Sequence, residues 1–178
     1  MRDDLEFRTV TEVRATGRTL TGLAAPFGVT ASIGGRFSET IAAGAFSASL
    51  VRDDVMALAD HRAEALLGRT RSRTLRLSET AAGLEYALDL PSTSIGNDLL
   101  ELARRGDLSG VSIGFIATSE AWPDPRTRQL RSVTLHEISI LTGNVPAYDQ
   151  TTVALRSRDQ AAILRLDPTA RARLLAML

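Results

Sequence analysis

The sequence has no cysteine and no lysine, carries no net charge and contains no long apolar run. The absence of cysteine excludes disulfides, thiolate metal sites and a cysteine nucleophile. All 21 basic residues are arginine, so Ser–Lys and Schiff-base chemistry are excluded as well. The 21 acidic residues balance the arginines, which argues against binding nucleic acid through bulk charge. No segment approaches the ~18 apolar residues that span a membrane, and the charged start MRDDLEFRTV is unlike a secretory signal. We therefore expect an intracellular protein with no membrane partner.

Short apolar segments between glycine-rich turns predict mostly β structure in the first half of the chain. Ile95, Leu99 and Leu102 share one helical stripe, and Gly106 follows as a stop signal. A second, short helix is expected to start near Ala43. The predicted strands lie at 5–15, 19–25, 55–59, 73–78, 84–90, 110–118, 129–141 and near 146–155.

Many short strands with a few helices predict an α+β domain. We expect a closed or nearly closed, mostly antiparallel β-barrel flanked by helices. This domain is assigned to residues 1–156. After Arg156, Asp167–Pro168 is typical of a helix start, so residues 157–178 are predicted to form a helical C-terminal tail.

The segment GVSIG at 110–114 matches the G-x-S-x-G pattern of many serine hydrolases and makes Ser112 a candidate nucleophile. It is not a hydrolase elbow, because the predicted helix precedes the serine and the predicted strand follows it. Strand alternation places Ser112 between Gly110 and Gly114, where another backbone can approach closely. The alternative is a small strand serine that faces packed neighbours. Ser109 is better explained as a turn residue.

A serine nucleophile needs a base, and the chain has two histidines, His61 and His136. In the strand at 129–141, Glu137 shares a face with apolar side chains. A buried carboxylate needs a partner, and a histidine ring N–H is one. Because His136 points to the opposite face, we interpret His61 as the base, Glu137 as its orienter and Ser112 as the nucleophile.

Several segments, in order, make the chain resemble the phage prohead (procapsid) maturation proteases, which are similar in fold to the herpesvirus assembly proteases. The matching segments are GLAAPFG at 22–28, ETIAAGAF at 39–46, ADHRAEALLGRT at 59–70, AAGLEYALDLP at 81–91, RRGDLSGVSIGF at 104–115, and LHEISI with VPAYDQT near 135–151.

The resemblance implies a role for each of three motif residues. His61 of the [ND]-H segment is the base, Ser112 of the S-x-G-F segment is the nucleophile, and Glu137 of the L-x-E-[IV]-S segment is the third member. The herpesvirus relatives carry a histidine as third member, so His136 stays as an alternative for that role.

The resemblance also implies an oxyanion hole in the TGN loop, for which the backbone N–H groups of Gly143 and Asn144 are the candidates. Arg69 either contributes positive charge to the site or has only a packing role. No H-E-x-x-H or comparable ligand cluster occurs, so we predict neither metal nor cofactor. A strip of arginines is typical of a solvated face, with an acidic scaffold partner or packaged DNA as functional interpretations. Its members are Arg62, Arg69, Arg71, Arg73 and Arg76.

The function implied is a serine endopeptidase that removes the scaffolding segment from the major capsid protein, and cleaves itself, during procapsid maturation. It would act in the bacterial host cytoplasm, inside the assembling procapsid of a tailed phage, a prophage or a gene-transfer-agent particle. The expected partners are the major capsid protein, the portal or procapsid interior, and further copies of the chain. The alternatives are an inert protease-like internal scaffold and a small serine esterase. The tail at 157–178 would either dock on the domain or tether it to the shell.

Overall fold

The computed structural model describes residues 5–11 and 13–143, and these are mostly β structure. The strands are β1 Glu6–Val10, β2 Arg14–Thr16, β3 Thr19–Pro26, β4 Ala31–Ile33, β5 Phe37–Ile41, β6 Met56–Ala59, β7 Arg62–Arg69, β8 Leu75–Glu79, β9 Gly83–Asp89, β10 Gly110–Asp124 and β11 Thr127–Leu141. The helices are α1 Ser47–Arg52 and α2 Ser94–Arg105.

The long strand β11 organises a seven-stranded sheet. One edge of β11 pairs antiparallel with β10, which in turn carries β1. The other edge pairs in parallel with β5 near its start and with β6 at 137–140, and β4 and β7 extend the sheet from these two strands. Because β10 and β6 pair with opposite edges of the same part of β11, the turn after β6 and the first residues of β10 lie at the same end of this sheet.

The four-stranded sheet has the order β2-β3-β9-β8 and packs on the larger one. Leu20, Leu84 and Leu88 of this sheet share one hydrophobic core with Ile113 and Phe115 of β10, and all five are fully buried. This core supports β10 from one side and leaves the other side for polar groups.

The barrel predicted from the sequence is wrong. Within residues 5–11 and 13–143 both sheets are open, and no strand pairing joins one sheet to the other. The segment 5–15, expected to be one strand of a hairpin, divides between the sheets: β1 pairs with β10 and β2 pairs with β3. Alternation predicts that a segment is a strand but not which strand lies beside it, so closure could not be decided from the pattern.

The helix over Ser94–Arg105 is confirmed. The Thr93 side chain accepts a hydrogen bond from the Gly96 N–H at 3.3 Å, and Gly106 ends the helix in the left-handed conformation, with φ 77°. Neither helix of the described residues has the length and apolarity needed to cross a membrane. The predicted last strand and the tail at 157–178 lie outside the described residues.

Candidate active site

The turn that carries His61 is held to the end of β11. Asp60 and His61 both have left-handed backbones, with φ of 49° and 58°, which costs about 1–3 kcal/mol for each non-glycine residue. The Asp60 carboxylate accepts hydrogen bonds from the Thr142 N–H and hydroxyl, at 2.7 and 2.6 Å, and the Asp60 N–H donates to the Ile140 carbonyl at 3.0 Å. These bonds offset the unfavourable backbone geometry and fix the position of the turn from which the His61 side chain extends.

The His61 ring contacts the Glu137 carboxylate, with 2.6 Å between Nδ1 and Oε1. Glu137 is largely buried on β11, and its side chain is 12% exposed against 29% for His61. An ionised carboxylate can only accept, so Nδ1 carries the proton and donates. The other ring nitrogen, Nε2, is then free to act as a base toward a third group.

Ser139 contacts both members of this pair. Its hydroxyl accepts a hydrogen bond from the His61 backbone N–H at 3.1 Å and donates one to Glu137 Oε1 at 3.2 Å. Ser139 is completely buried. We gave it no role from the sequence, although its position two residues after Glu137 on the same strand face was the available signal.

Gly114 makes room for the acid. It lies opposite Glu137 on β11 and opposite Phe7 on β1. A Cβ at Gly114 would lie 2.7 Å from Glu137 Cγ and 2.9 Å from Phe7 Cε1, closer than side chains approach. The Phe7 ring also meets the His61 ring edge-on, with 4.4 Å between centroids. Gly114, the second glycine of GVSIG, therefore leaves space for the side chains of Glu137 and Phe7. Gly110, with φ 147°, instead lies against the Val10 carbonyl.

Ser112 lies in β10, opposite Thr9 on one side and Ser139 on the other. Directly opposite residues in antiparallel strands place their side chains on the same face, so Ser112 shares the face of Ser139 and Glu137. Its side chain is completely buried, and its hydroxyl has no hydrogen-bond partner among the described residues. The structure thus places Ser112 directly opposite Ser139, which contacts the His61–Glu137 pair, and no hydrogen bond joins the Ser112 hydroxyl to His61.

His136 lies apart from the His61–Glu137 pair, whereas the described part of the predicted oxyanion loop lies at the His61 turn, where Thr142 donates to Asp60. His136 is exposed and lies where the register between β10 and β11 shifts by one residue. Two residues before it, the Thr134 hydroxyl accepts a hydrogen bond from Arg52 of α1 at 3.1 Å. The Gly143 carbonyl accepts a hydrogen bond from the Ser109 hydroxyl, at the start of β10. Asn144 lies outside the described residues.

Three members of the arginine strip make local ion pairs. Arg69 contacts the Asp54 carboxylate at 2.6 Å, and Arg71 contacts the same carboxylate at 3.4 Å. Arg76 makes two hydrogen bonds to Asp89, at 2.6 and 2.9 Å. Among residues 5–11 and 13–143, no group of three or more His, Cys, Asp or Glu residues is placed to hold a metal ion.

The sequence model of the caudovirus prohead serine protease family matches residues 3–165, most of the chain. No curated protein and no solved structure gives a significant match. The family match includes every element that builds the His61–Glu137 pair and the strand that carries Ser112. The chain therefore belongs to the caudovirus prohead serine proteases, a family of serine peptidases that act in phage capsid maturation.

Proposed function

We propose that this chain is a serine endopeptidase in which Ser112 is the nucleophile, His61 the general base and Glu137 its orienting acid. Its substrate is the scaffolding segment of the major capsid protein, and it also cleaves itself. It works inside the assembling procapsid of a tailed phage, a prophage or a gene-transfer-agent particle.

The contact between His61 Nδ1 and Glu137 Oε1, at 2.6 Å, is the observation that carries this proposal. A buried carboxylate on Nδ1 holds the ring in one tautomer and stabilises the imidazolium that forms when Nε2 takes a proton. Glu137 supports this role better than His136, because Glu137 contacts the His61 ring and His136 is exposed to solvent.

In the reaction, the Ser112 hydroxyl attacks the scissile carbonyl while His61 Nε2 accepts its proton. His61 then passes the proton to the leaving amine, and water hydrolyses the acyl-enzyme by the same route in reverse. Backbone N–H groups must stabilise the oxyanion, and the TGN loop with Gly143 and Asn144 remains the candidate for them.

The burial of Ser112 favours the main alternative, an inert internal scaffold of the same family. A substrate carbonyl can reach the hydroxyl only after the groups that cover it move, since Ser112 is 0% exposed. Catalytic hydrogen bonds are often long or absent in unliganded enzymes and tighten when substrate binds, so the missing bond to His61 does not decide the question.

The test is co-expression of the full chain with the major capsid protein of the same genome. Ser112→Ala should abolish processing, since loss of a nucleophile costs on the order of 10⁴ to 10⁶ in rate. Ser109→Ala is the comparison variant, because it removes a hydroxyl three residues before Ser112, and it should leave most of the processing. A fluorophosphonate probe should label the wild type and not Ser112→Ala. Unlabelled wild type that processes nothing would establish the inert scaffold instead.

A further inference from the structure

We propose that Ser139 is a positioning residue of this site, a role that rests on the proposed function of Ser112, His61 and Glu137. Its hydroxyl holds the backbone of the base and one oxygen of the acid at the same time. The effect of Ser139 is thus on the geometry of the His61–Glu137 pair and not on bonding to substrate.

Ser139 makes two hydrogen bonds that act on the geometry of the His61–Glu137 pair. Accepting from the His61 N–H, at 3.1 Å, fixes the backbone of a residue whose left-handed conformation is otherwise unfavourable. Donating to Glu137 Oε1, at 3.2 Å, orients the same oxygen that contacts His61 Nδ1. One buried hydroxyl therefore sets both ends of the Nδ1–Oε1 contact.

The position of Ser139 in the sheet also relates the proposed nucleophile, Ser112, to the His61–Glu137 pair. Ser139 lies directly opposite Ser112 in the β10–β11 ladder, and two residues from Glu137 on the same strand. The ladder fixes the backbones of Ser112 and Ser139 relative to each other, and Ser139 fixes His61 relative to itself. Misplacing a catalytic group by about 1 Å can cost on the order of 100-fold in rate, so this link has a measurable consequence.

The chain contains a matched control in Ser49 of α1. Ser49 is also completely buried, and its hydroxyl also accepts from a backbone N–H, that of Leu135, at 2.8 Å. It also donates to a carboxylate, that of Asp53, at 2.7 Å. Ser49→Ala therefore removes the same two kinds of hydrogen bond at a place where neither partner is His61 or Glu137.

The experiment measures phosphonylation of the full chain by a fluorophosphonate probe, resolved into the maximal rate kinact and the half-saturation constant KI. Ser139→Ala should lower kinact by about 10- to 100-fold with KI changed by less than about threefold. Ser139→Thr, which keeps the hydroxyl, should restore most of the rate, and Ser49→Ala should keep the wild-type kinact. Equal kinact in Ser139→Ala and wild type would overturn the proposal.

A second measurement uses the fact that the chain has two histidines. In protein labelled with ¹⁵N-histidine, His136→Asn assigns the ring signals by removing one set. The His61 ring should be protonated at Nδ1 in the wild type and in Ser49→Ala, and should show a mixture of tautomers in Ser139→Ala. A purely structural role for Ser139 would leave the tautomer unchanged, and that result would also overturn the proposal.

Ser112→Ala and Glu137→Gln measured in parallel separate the two hypotheses. If both lose labelling while Ser139→Ala keeps it, only the role of Ser139 fails. If both keep labelling, the proposed triad fails.

If Ser139→Ala does not fold, Ser139→Cys serves in its place. Cysteine has a side chain of similar volume with a much weaker hydrogen-bonding group, so this variant should show the same loss of kinact. If neither variant folds while Ser49→Ala does, Ser139 is a folding residue and the proposal is overturned.

Discussion

Glu39 and Glu137 are both buried carboxylates on the seven-stranded sheet, but they have different kinds of partner. Glu39 is 2% exposed and lies between two guanidinium groups, Arg8 at 2.5 and 2.7 Å and Arg128 at 3.0 Å. Glu137 is 9% exposed and contacts His61 and Ser139. Arginine stays charged at any ordinary pH, whereas histidine gains and loses a proton near neutrality.

This difference distinguishes a carboxylate that stabilises the fold from one that is suited to assist a general base. The charge of Glu39 is permanently compensated, and Arg128 extends the cluster to Glu6 and Glu120, so these groups hold β1, β5, β10 and β11 together. The charge of Glu137 is compensated fully only when the imidazole is protonated, which is the state a general base passes through. Burial alone does not distinguish the two residues, but the partner does.

The largest expected effect comes from removing the charge of Glu137. Glu137→Gln keeps the side-chain shape but cannot stabilise the imidazolium, so we expect activity to fall roughly 10³- to 10⁴-fold. Thermal unfolding should show a small change in melting temperature. Fluorophosphonate labelling or capsid-protein processing measures the activity.

His136→Ala is the control for this variant and should lower activity only slightly, because the His136 side chain is exposed to solvent. The reverse pattern, with activity lost in His136→Ala and kept in Glu137→Gln, would move the third member to His136. The contrast between Glu39 and Glu137 would then no longer apply.

The next effect is on stability and comes from Glu39. Glu39→Gln leaves Arg8 and Arg128 without the carboxylate that compensates them, and breaking a buried pair costs about 3–5 kcal/mol. For a chain of this size the melting temperature should fall by roughly 10 °C. Calorimetry measures this, and a parallel Glu101→Gln variant on the exposed side of α2 should melt like the wild type. A Glu39→Gln protein with wild-type stability would mean that the arginine cluster does not hold the strands.

The smallest effect is the contribution of Glu6 to the pH dependence of the stability of the fold. Burial alone would raise the pKa of Glu6, but the hydrogen bond from Arg128 and the charges of Arg8 and Arg128 outweigh it and hold this pKa below the ordinary 4.5. A lowered folded-state pKa adds stability that is present above pH 4.5 and is lost as the pH falls through the folded value. Glu6→Gln should therefore melt a few degrees lower than the wild type at pH 7.

The difference between Glu6→Gln and the wild type should shrink as the pH is lowered from 5 to 3. Melting curves at fixed ionic strength measure it, since both proteins keep all their other carboxylates. A difference that stays constant over this range would show that Glu6 contributes through packing and not through its charge.

Local patterns in the sequence predict the elements whose hydrogen bonds are local. The helix over Ser94–Arg105 was predictable because its apolar stripe and its stop at Gly106 lie within a few residues of one another. Alternation predicted that Glu137 shares its strand face with Val133 and Leu135, and this is wrong. A register shift at 136 places Leu135 opposite Phe115 but Glu137 opposite Gly114, on the other face of β10. Glu137 is buried all the same, so its carboxylate needed a partner. The contact of Glu137 with His61 is present in the structure, while the catalytic role of Ser112 stays a prediction.

Only the tertiary structure decided which strands lie beside each other. The segment RAEALLGR is rich in helix-forming residues, yet it forms strand β7 because pairing with β6 supplies its backbone hydrogen bonds. The division of 5–15 between two sheets and the open edges that replaced the expected barrel have the same origin. The contacts of Ser139 with His61, 78 positions away, and of Gly114 with Phe7, 107 positions away, also depend on strand register. Periodicity records which way a side chain points, but register between distant strands is set by the packing of the whole core, which no local pattern contains.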